Sequence, residues 1–341
     1  MRVARMNGPR SIEFFEKPIP EPVDGEVLVK VIRLGICGTD IQVYFGKNKY
    51  MTFPVVPGHE MSGEVVAIGP HVKDYKVGDR VIIRPQIVCG KCKPCLTGKS
   101  NVCENLKVYG VQCDGMASNY FVNDQKLTYK IPEGLSYDVA ALIEPLAVGV
   151  RAAKRGLLNN NTDIVVIGAG TIGNLTAQAA KALGAGKVMI SDVNEKKLKV
   201  AEQCAIDVPF NVKDKDLKSA VLDVFGKQGV DAIIDCAAAR GVFESILSIA
   251  PKGSTIVIVG NYKEPVKVDL SLVQRNELDV RGDLMYSHND FVDAIELMQS
   301  GQIKTDGIIT HYFDFEDYDK AFAFIEENPE DVIKALIKFS V

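Results

Sequence analysis

The chain has 341 residues, 47% of them hydrophobic and 25% charged, and a formal net charge of −4. That length predicts two domains with cores large enough to need no covalent staples, and the mild acidity without basic–aromatic clusters excludes nucleic acid and membrane as partners. No apolar run approaches the roughly 18 residues of a spanning helix, and the basic start Met1–Arg10 lacks an apolar stretch, so the expectation is a cytoplasmic protein with reduced thiols.

In the first half, Val27–Ile32, Val65–Ile68 and Arg80–Ile83 are β-branched runs set between Gly and Pro punctuation, the pattern of short strands in a β-rich domain. Pro18, Pro20, Pro22, Pro54 and Pro57 forbid long helices in the connections. Between the first two strands comes Gly35-Ile36-Cys37-Gly38-Thr39-Asp40, and before the second comes Gly58-His59-Glu60-Met61-Ser62-Gly63. A lone cysteine is most often a small core hydrophobe, and a His-Glu pair in a glycine-rich stretch is also consistent with an exposed turn. Together they offer a thiolate, an imidazole and a carboxylate, a donor set suited to zinc.

Five of the eight cysteines fall in one short stretch, four of them in the pattern C-x2-C-x2-C-x7-C: Cys89, Cys92, Cys95 and Cys103. Four thiolates at this spacing close a tetrahedral site, which is structural rather than catalytic because no position stays open. An iron–sulfur cluster is the alternative; disulfides fit a reducing compartment poorly. Lys91, Lys93, Lys99 and Lys107 either offset the site's negative charge or are simply solvated. Cys113 lies outside the pattern and reads as an ordinary thiol, as do Cys204 and Cys236.

In the second half, the apolar strand Asp163–Ile167 runs into Gly168-Ala169-Gly170-Thr171-Ile172-Gly173, which opens an alanine-rich helix over Leu175–Leu183. A second strand, Lys187–Ile190, precedes Asp192. Strand, glycine loop, helix, strand and terminal acid in this order are the dinucleotide-binding unit. The pyrophosphate sits at the helix N-terminus. Asp192 accepts from the ribose hydroxyls and repels a 2′-phosphate, which favours NAD over NADP, although Lys196 and Lys197 lie close by. Helices over Asn194–Cys204, Leu217–Phe225 and Val242–Ala250 alternate with strands over Val230–Asp235 and Thr255–Val259, with Leu278–Arg281 as a last strand. The fold class is α/β, a doubly wound parallel sheet beside a β-rich domain. From Asn289 the texture changes: helical periods over Phe291–Ser300 and Tyr318–Glu327, then a strand-like run Asp331–Phe339.

On these motifs, with Val77-Gly-Asp-Arg-Val81 and Glu144-Pro145-Leu146, the chain resembles the zinc-dependent medium-chain dehydrogenases over essentially its whole length. The likeness is greatest to the polyol and sugar-acid branch that includes sorbitol, idonate and galactitol-phosphate dehydrogenases. The resemblance implies a GroES-like catalytic domain formed by residues 1–149 and 289–341, with a structural-zinc lobe at about 86–115. It implies a Rossmann domain over 150–288 and an active-site cleft between the two domains. It also implies two zinc ions per chain. Cys37 and His59 match catalytic ligands, and Glu144 stands where simple alcohol dehydrogenases place a cysteine. Glu60 matches a residue that binds zinc directly or through water. Cys89, Cys92, Cys95 and Cys103 match the structural site. Thr39 matches the hydroxyl that takes the substrate's proton. Gly168, Gly170, Thr171, Ile172, Gly173, Asp192, Lys197 and Val259 fall at cofactor positions. The implied reaction is alcohol deprotonation at zinc followed by hydride transfer to the nicotinamide.

One departure stands out: Gln42 occupies the place of a histidine that ends the proton relay in many members. The Glu144 position carries aspartate in threonine dehydrogenases and cysteine in simple alcohol dehydrogenases. That leaves a polyol, sugar acid or sugar phosphate, with a butanediol- or threonine-type alcohol as the alternative. Arg84, Lys47 and Lys49 are candidates to meet an anionic substrate. A zinc-ribbon binding protein and a zinc-free reductase are the rival classes; the acidic balance disfavours the first, and Cys37, His59 and Glu144 the second. A homodimer or homotetramer is expected.

Overall fold

The computed structural model describes residues 1–47, 51 and 53–340. The chain divides into two compact units, Met1–Glu144 with Ile309–Val341, and Pro145–Ile308. In the first, β1 (Arg2–Gly8) and β2 (Ser11–Glu16) form a hairpin ahead of the long β3 (Glu26–Ile36). Then come α1 (Gly38–Tyr44), β4 (Glu60–Ile68), β5 (Arg80–Ile83), β6 (Gln86–Ile87), α2 (Lys93–Leu96), β7 (Lys107–Val108), β8 (Tyr120–Asp124), β9 (Thr128–Lys130) and α3 (Tyr137–Ala140). Helix α4 (Ile143–Gly156) carries the chain into the second unit.

There β10 (Ile164–Ile167), α5 (Thr171–Ala182), β11 (Val188–Asp192), α6 (Glu195–Gln203), β12 (Val208–Asn211), α7 (Leu217–Phe225), β13 (Ala232–Asp235), α8 (Val242–Ile249), β14 (Thr255–Ile258), α9 (Leu270–Arg275), β15 (Asp279–Gly282) and α10 (His288–Gln299) alternate. The return to the first unit supplies β16 (Ile309–Asp314), α11 (Tyr318–Glu327) and β17 (Lys334–Lys338).

The first unit is built on a seven-stranded sheet running β16-β17-β3-β4-β5-β9, with β8 paired to β3. Its register matters for the site. The C-terminal strand pairs antiparallel with β3, Ala335 opposite Ile36 and Leu336 opposite Gly35. On the other side of β3, Gly35 stands opposite Glu60. Leu336, Gly35 and Glu60 therefore lie in a row across three neighbouring strands, with Lys334 two residues before Leu336 on β17. Val29, Val31, Leu34, Met61, Phe315 and Phe322 pack in the core of this unit; each such side chain stabilises by about 1.5–3 kcal/mol when fully buried.

The second unit is a six-stranded, all-parallel sheet in the order β12-β11-β10-β13-β14-β15. Numbered within the sheet this is 3-2-1-4-5-6, so the strand order reverses between β10 and β13, and a ligand crevice lies outside the carboxyl ends at that point. Val165, Met189, Ile233, Phe243, Ile246 and Ile256 build its core. Strands buried on both faces read as unbroken apolar runs, which is why β10 and β13 stand out in the sequence.

Three elements differ from the sequence expectation. Strand β4 begins at Glu60 rather than at Val65, so the second half of the glycine-bounded motif is strand. Strand β12 was hidden by Pro209, which removes a ladder donor and is tolerated because β12 is an edge. Helix α10 belongs to the second unit, and the return comes at Ile309 rather than at 289. Charge explains this: Asp290 of α10 is gripped by Lys154 (2.8 Å) and Arg151 (3.2 Å) of α4. No helix among the described residues is long and apolar enough to cross a membrane.

Candidate metal and cofactor sites

Among the described residues, two groups of side chains able to ligate a metal converge. The ligand atoms of Cys89, Cys92, Cys95 and Cys103 all lie within 4.8 Å of one another, as do those of Cys37, His59 and Glu60.

The first group is a local construction. The Cys103 Sγ lies 3.5 Å from the Cys89 Sγ and 3.8 Å from the Cys92 Sγ. A tetrahedron with metal–sulfur bonds of about 2.3 Å has edges of about 3.8 Å, whereas a disulfide would need about 2.05 Å. All four are free thiols. The backbone N–H groups of Cys89 and Asn105 donate to the Cys103 sulfur at 3.3 Å, the kind of bond that favours a thiolate. Backbone N–H groups of Lys91 and Cys92 pull the Cys89 thiol down to about 6, while burial and the neighbouring sulfurs push Cys95 up to about 12. Lys91, Lys93, Lys99 and Lys107 are exposed.

The second group is assembled from distant segments. Cys37 caps α1: its Sγ accepts from the Thr39 N–H at 3.4 Å, and its own N–H donates to the Asp40 carboxylate at 2.9 Å. Asp40, wholly buried, stands with Oδ1 3.6 Å from the His59 Nδ1. Both atoms lack a hydrogen-bond partner. Were His59 to hold a metal through its other ring nitrogen, Asp40 would stand where a carboxylate orients a ligating histidine. Burial alone would lower the His59 pKa, but Asp40 and Cys37 outweigh it and raise it well above the ordinary value.

Glu60 is 1% exposed and held by Lys334, whose ammonium donates to Oε1 at 2.8 Å, to Oε2 at 2.5 Å and to the Ile36 carbonyl at 3.2 Å. Burial would lower the Lys334 pKa; Glu60, Cys37 and Glu144 overcome this and raise it. Gly35 makes the space, since a Cβ there would stand 2.1 Å from the Glu60 Oε2. Glu144 is buried in the first turn of α4, where Pro145 fits because its missing N–H has no helical partner to lose. It lies outside the converging trio yet acts electrostatically on both His59 and Lys334. Thr39 and Gln42 are half-buried on α1.

Arg84 is buried and turns to Gln86 and Tyr129. Lys47 is exposed, its ammonium 5.4 Å from the Phe45 ring centre. Neither joins the Cys37–His59–Glu60 group, and Lys49 lies outside the described residues.

In the second unit the glycine loop joins β10 to α5, with Gly170 as N-cap and Thr171 and Ile172 in the first turn. A Cβ on Gly173 would come 1.7 Å from the Gly168 carbonyl, so only glycine lets helix and loop approach this closely. Asp192 ends β11, its Oδ2 accepting from the Ala169 N–H at 2.7 Å and its Oδ1 from the Asn194 N–H at 2.9 Å. The acid is thereby fixed to the loop. The Lys197 N–H caps onto the Asn194 side chain at 3.3 Å. Val259 follows β14, its N–H bonded to the Asp235 carbonyl at 3.0 Å.

A GroES-like unit with a thiolate–imidazole–carboxylate cluster and a four-cysteine lobe, and a Rossmann unit with its glycine loop, define a zinc-type, NAD(P)-dependent alcohol dehydrogenase. Residues 23–133 match the "Alcohol dehydrogenase GroES-like domain" and residues 171–300 the "Zinc-binding dehydrogenase" family; the chain belongs to the zinc-dependent medium-chain dehydrogenases. It is 30% identical to the sorbitol dehydrogenase of Bacillus subtilis, covering 99% of this chain and 97% of that one. It is 32% identical to an L-threonine 3-dehydrogenase of Pyrococcus abyssi, covering 96% and 95%. The crystal structure of rspB from Escherichia coli CFT073, complexed with NADH, superposes with a TM-score of 0.91 at 32% identity, covering 99% of each chain.

The sequence reading missed Lys334, Asp40 and Tyr318. Asp40 carried a signal, lying within the Cys37 motif. Lys334 carried none, because only sheet register brings it to Glu60. Tyr318 is fully buried, its hydroxyl without a hydrogen-bond partner, and burial with the nearby Asp40 and Glu60 raises its pKa well above the usual range.

Proposed function

We propose that the chain reversibly oxidises a secondary alcohol of a polyol, sugar acid or sugar phosphate, with NAD as hydride acceptor. The observation that carries this reading is the donor set: one thiolate and one imidazole accompanied by buried carboxylates, Glu60 and Glu144, rather than by a second cysteine. Cys37 and His59 hold the catalytic zinc, with Glu60 or Glu144 as the third protein ligand. Cys89, Cys92, Cys95 and Cys103 hold the structural zinc. The catalytic ion, when bound, supplies Lewis acidity that makes an alcohol proton easier to remove.

The chain's own residues do the rest. Asp40 fixes the His59 ring. Thr39 takes the substrate's proton and passes it outward, and because Gln42 cannot titrate, the relay ends in water or another group. The glycine loop, Thr171 and Ile172 at the start of α5 receive the pyrophosphate. Asp192 accepts from the ribose hydroxyls and excludes a 2′-phosphate, with Lys197 and Val259 bordering the cofactor. A second copy of the chain adds to the free edge at β15, where Val280, Leu284 and Leu270 of α9 are exposed apolar residues.

The test is a substrate panel followed by absorbance of the reduced cofactor. Turnover of a polyol, sugar acid or sugar phosphate with NAD, at least tenfold above L-threonine and 2,3-butanediol, supports the reading. Preference for either control would replace the substrate class. Asp192→Ala should raise the KM for NAD about tenfold, the loss of roughly 1.4 kcal/mol, and admit NADP.

A further inference from the structure

We infer, resting on the proposed alcohol chemistry at Cys37 and His59, that Arg84 recognises an oxyanion on the substrate. The substrate is then a sugar acid or a sugar phosphate rather than a neutral polyol.

Among the described residues, one arginine and one lysine are buried, and their surroundings differ. Lys334 donates to both oxygens of Glu60. Arg84, 8% exposed, forms no ion pair among the described residues, and its Nε has no hydrogen-bond partner. Its Nη1 lies 3.4 Å from the Gln86 Oε1, a long contact to a neutral amide. Its other neighbour, Tyr129, is no counter-ion either. Burial outweighs the pull of Arg84 and raises the phenol above its ordinary value, so it stays protonated at neutral pH. A cation left unpaired in the interior is costly, and an incoming anion offsets that cost.

Sheet register puts this cation beside the metal group. On β4 and β5, Glu64 stands opposite Arg80 and Ser62 opposite Ile82. The next step along both strands, past the last ladder pair, brings Glu60 level with Arg84. Strand geometry persists that far, because the Arg84 N–H donates to the Leu127 carbonyl at 2.8 Å, continuing the β5–β9 ladder beyond Ile83 and Thr128. Alternation then places Arg84 on the sheet face shared by Ile82, Ser62, Glu60 and Tyr129. Glu60 is already committed to Lys334 and does not neutralise Arg84. Neighbouring strands lie about 5 Å apart, so a sugar chain with its carbinol at Cys37 and His59 can bring its terminal group to the guanidinium. The half-buried Tyr129 marks where this pocket approaches solvent.

The chemistry selects the ligand. A guanidinium presents a planar fork that matches a carboxylate or a phosphate with two parallel hydrogen bonds. A neutral polyol offers only hydroxyls there and leaves the buried charge uncompensated. A site built to bond a charged group rejects the analogue that lacks it.

The experiment uses the full zinc-loaded chain and ligands on one carbon skeleton: a hexitol, its aldonate and its 6-phosphate, in the gluco and galacto series. Wild type, Arg84→Gln and Arg84→Lys are compared by kcat and KM with NAD. Calorimetry measures binding of the same ligands to the NADH-loaded chain, and circular dichroism checks folding. In wild type, one of the two anions should exceed the hexitol in kcat/KM by about tenfold or more, and which one separates the carboxylate from the phosphate. In Arg84→Gln that ratio should fall about thirtyfold, through KM rather than kcat, with a matching loss of anion binding in calorimetry. Arg84→Lys keeps the charge without the fork and should fall between the two. A wild-type preference for the hexitol, or a loss in Arg84→Gln that is equal for neutral and anionic ligands, overturns the role of Arg84 and leaves the proposed function standing. If Arg84→Gln does not fold, the same ratio in Arg84→Lys decides. Turnover of no member of the set, neutral or anionic, would instead overturn the proposed function itself.

Discussion

The two cysteine-bearing metal groups solve the same problem in opposite ways. The four-cysteine lobe draws every donor from residues 89–103, and short turns bring the sulfurs to 3.5–3.8 Å. The Cys37–His59–Glu60 site needs a helix cap, the start of one strand and, for its lysine, the C-terminal strand nearly 300 residues away. A closed local site depends on little besides its own turns. A split site depends on sheet register and on buried charges that must all be matched. Local failure should therefore separate from catalytic failure.

The largest effect should come from His59→Ala. It removes a metal donor and leaves buried Asp40 without its partner, and kcat should fall at least about 10³-fold, several kcal/mol of lost transition-state stabilisation. Metal at the four-cysteine lobe should be retained. Cys92→Ser should do the reverse, losing the lobe's metal and lowering the unfolding midpoint while metal stays at Cys37 and His59. If either substitution empties both sites together, the two regions are not independent.

A smaller effect is expected from Gly35→Ala. The added methyl must displace the Glu60 carboxylate, and overpacking of this kind costs about 1–3 kcal/mol. Denaturant unfolding should show that loss. A neutral result would mean that Glu60 has other room.

The smallest concerns the second unit, where Asp283 sits buried between Arg151 at 3.2 Å and Arg155 at 3.7 Å. Burial outweighs both arginines, aided by the nearby Asp290, and pushes the Asp283 carboxyl up to about 7. A folded-state value raised above the unfolded one gives stability that is full below about pH 4 and lost as the pH climbs to about 7. The slope is at most about 1.4 kcal/mol per pH unit. Asp283→Asn should remove this slope, so that the variant gains on the wild type in urea unfolding between pH 5 and 7 and no further above. A constant difference across that range would mean that Asp283 ionises normally.

This contrast also explains what could be read from the chain. The lobe was legible because its spacing is its geometry. The Rossmann unit was legible because strands buried on both faces are unbroken apolar runs and Gly173 has no substitute against the Gly168 carbonyl. Strand β12 was hidden by Pro209, whose edge position the sequence does not announce. The place of α10 was hidden because Asp290 pairs with α4, far back in the chain. Cys37, His59 and Glu60 could be named from their glycine-bounded motifs, and the resemblance added their roles. Lys334 could not, because an isolated lysine in a tail strand acquires meaning only when β17 pairs with β3.

The most direct measurement is metal content set beside turnover. The wild-type chain should hold two zinc ions, His59→Ala one with no turnover, and Cys92→Ser one with turnover in the folded fraction. A wild-type chain that holds a single zinc at the four-cysteine lobe and still oxidises its alcohol would contradict the account.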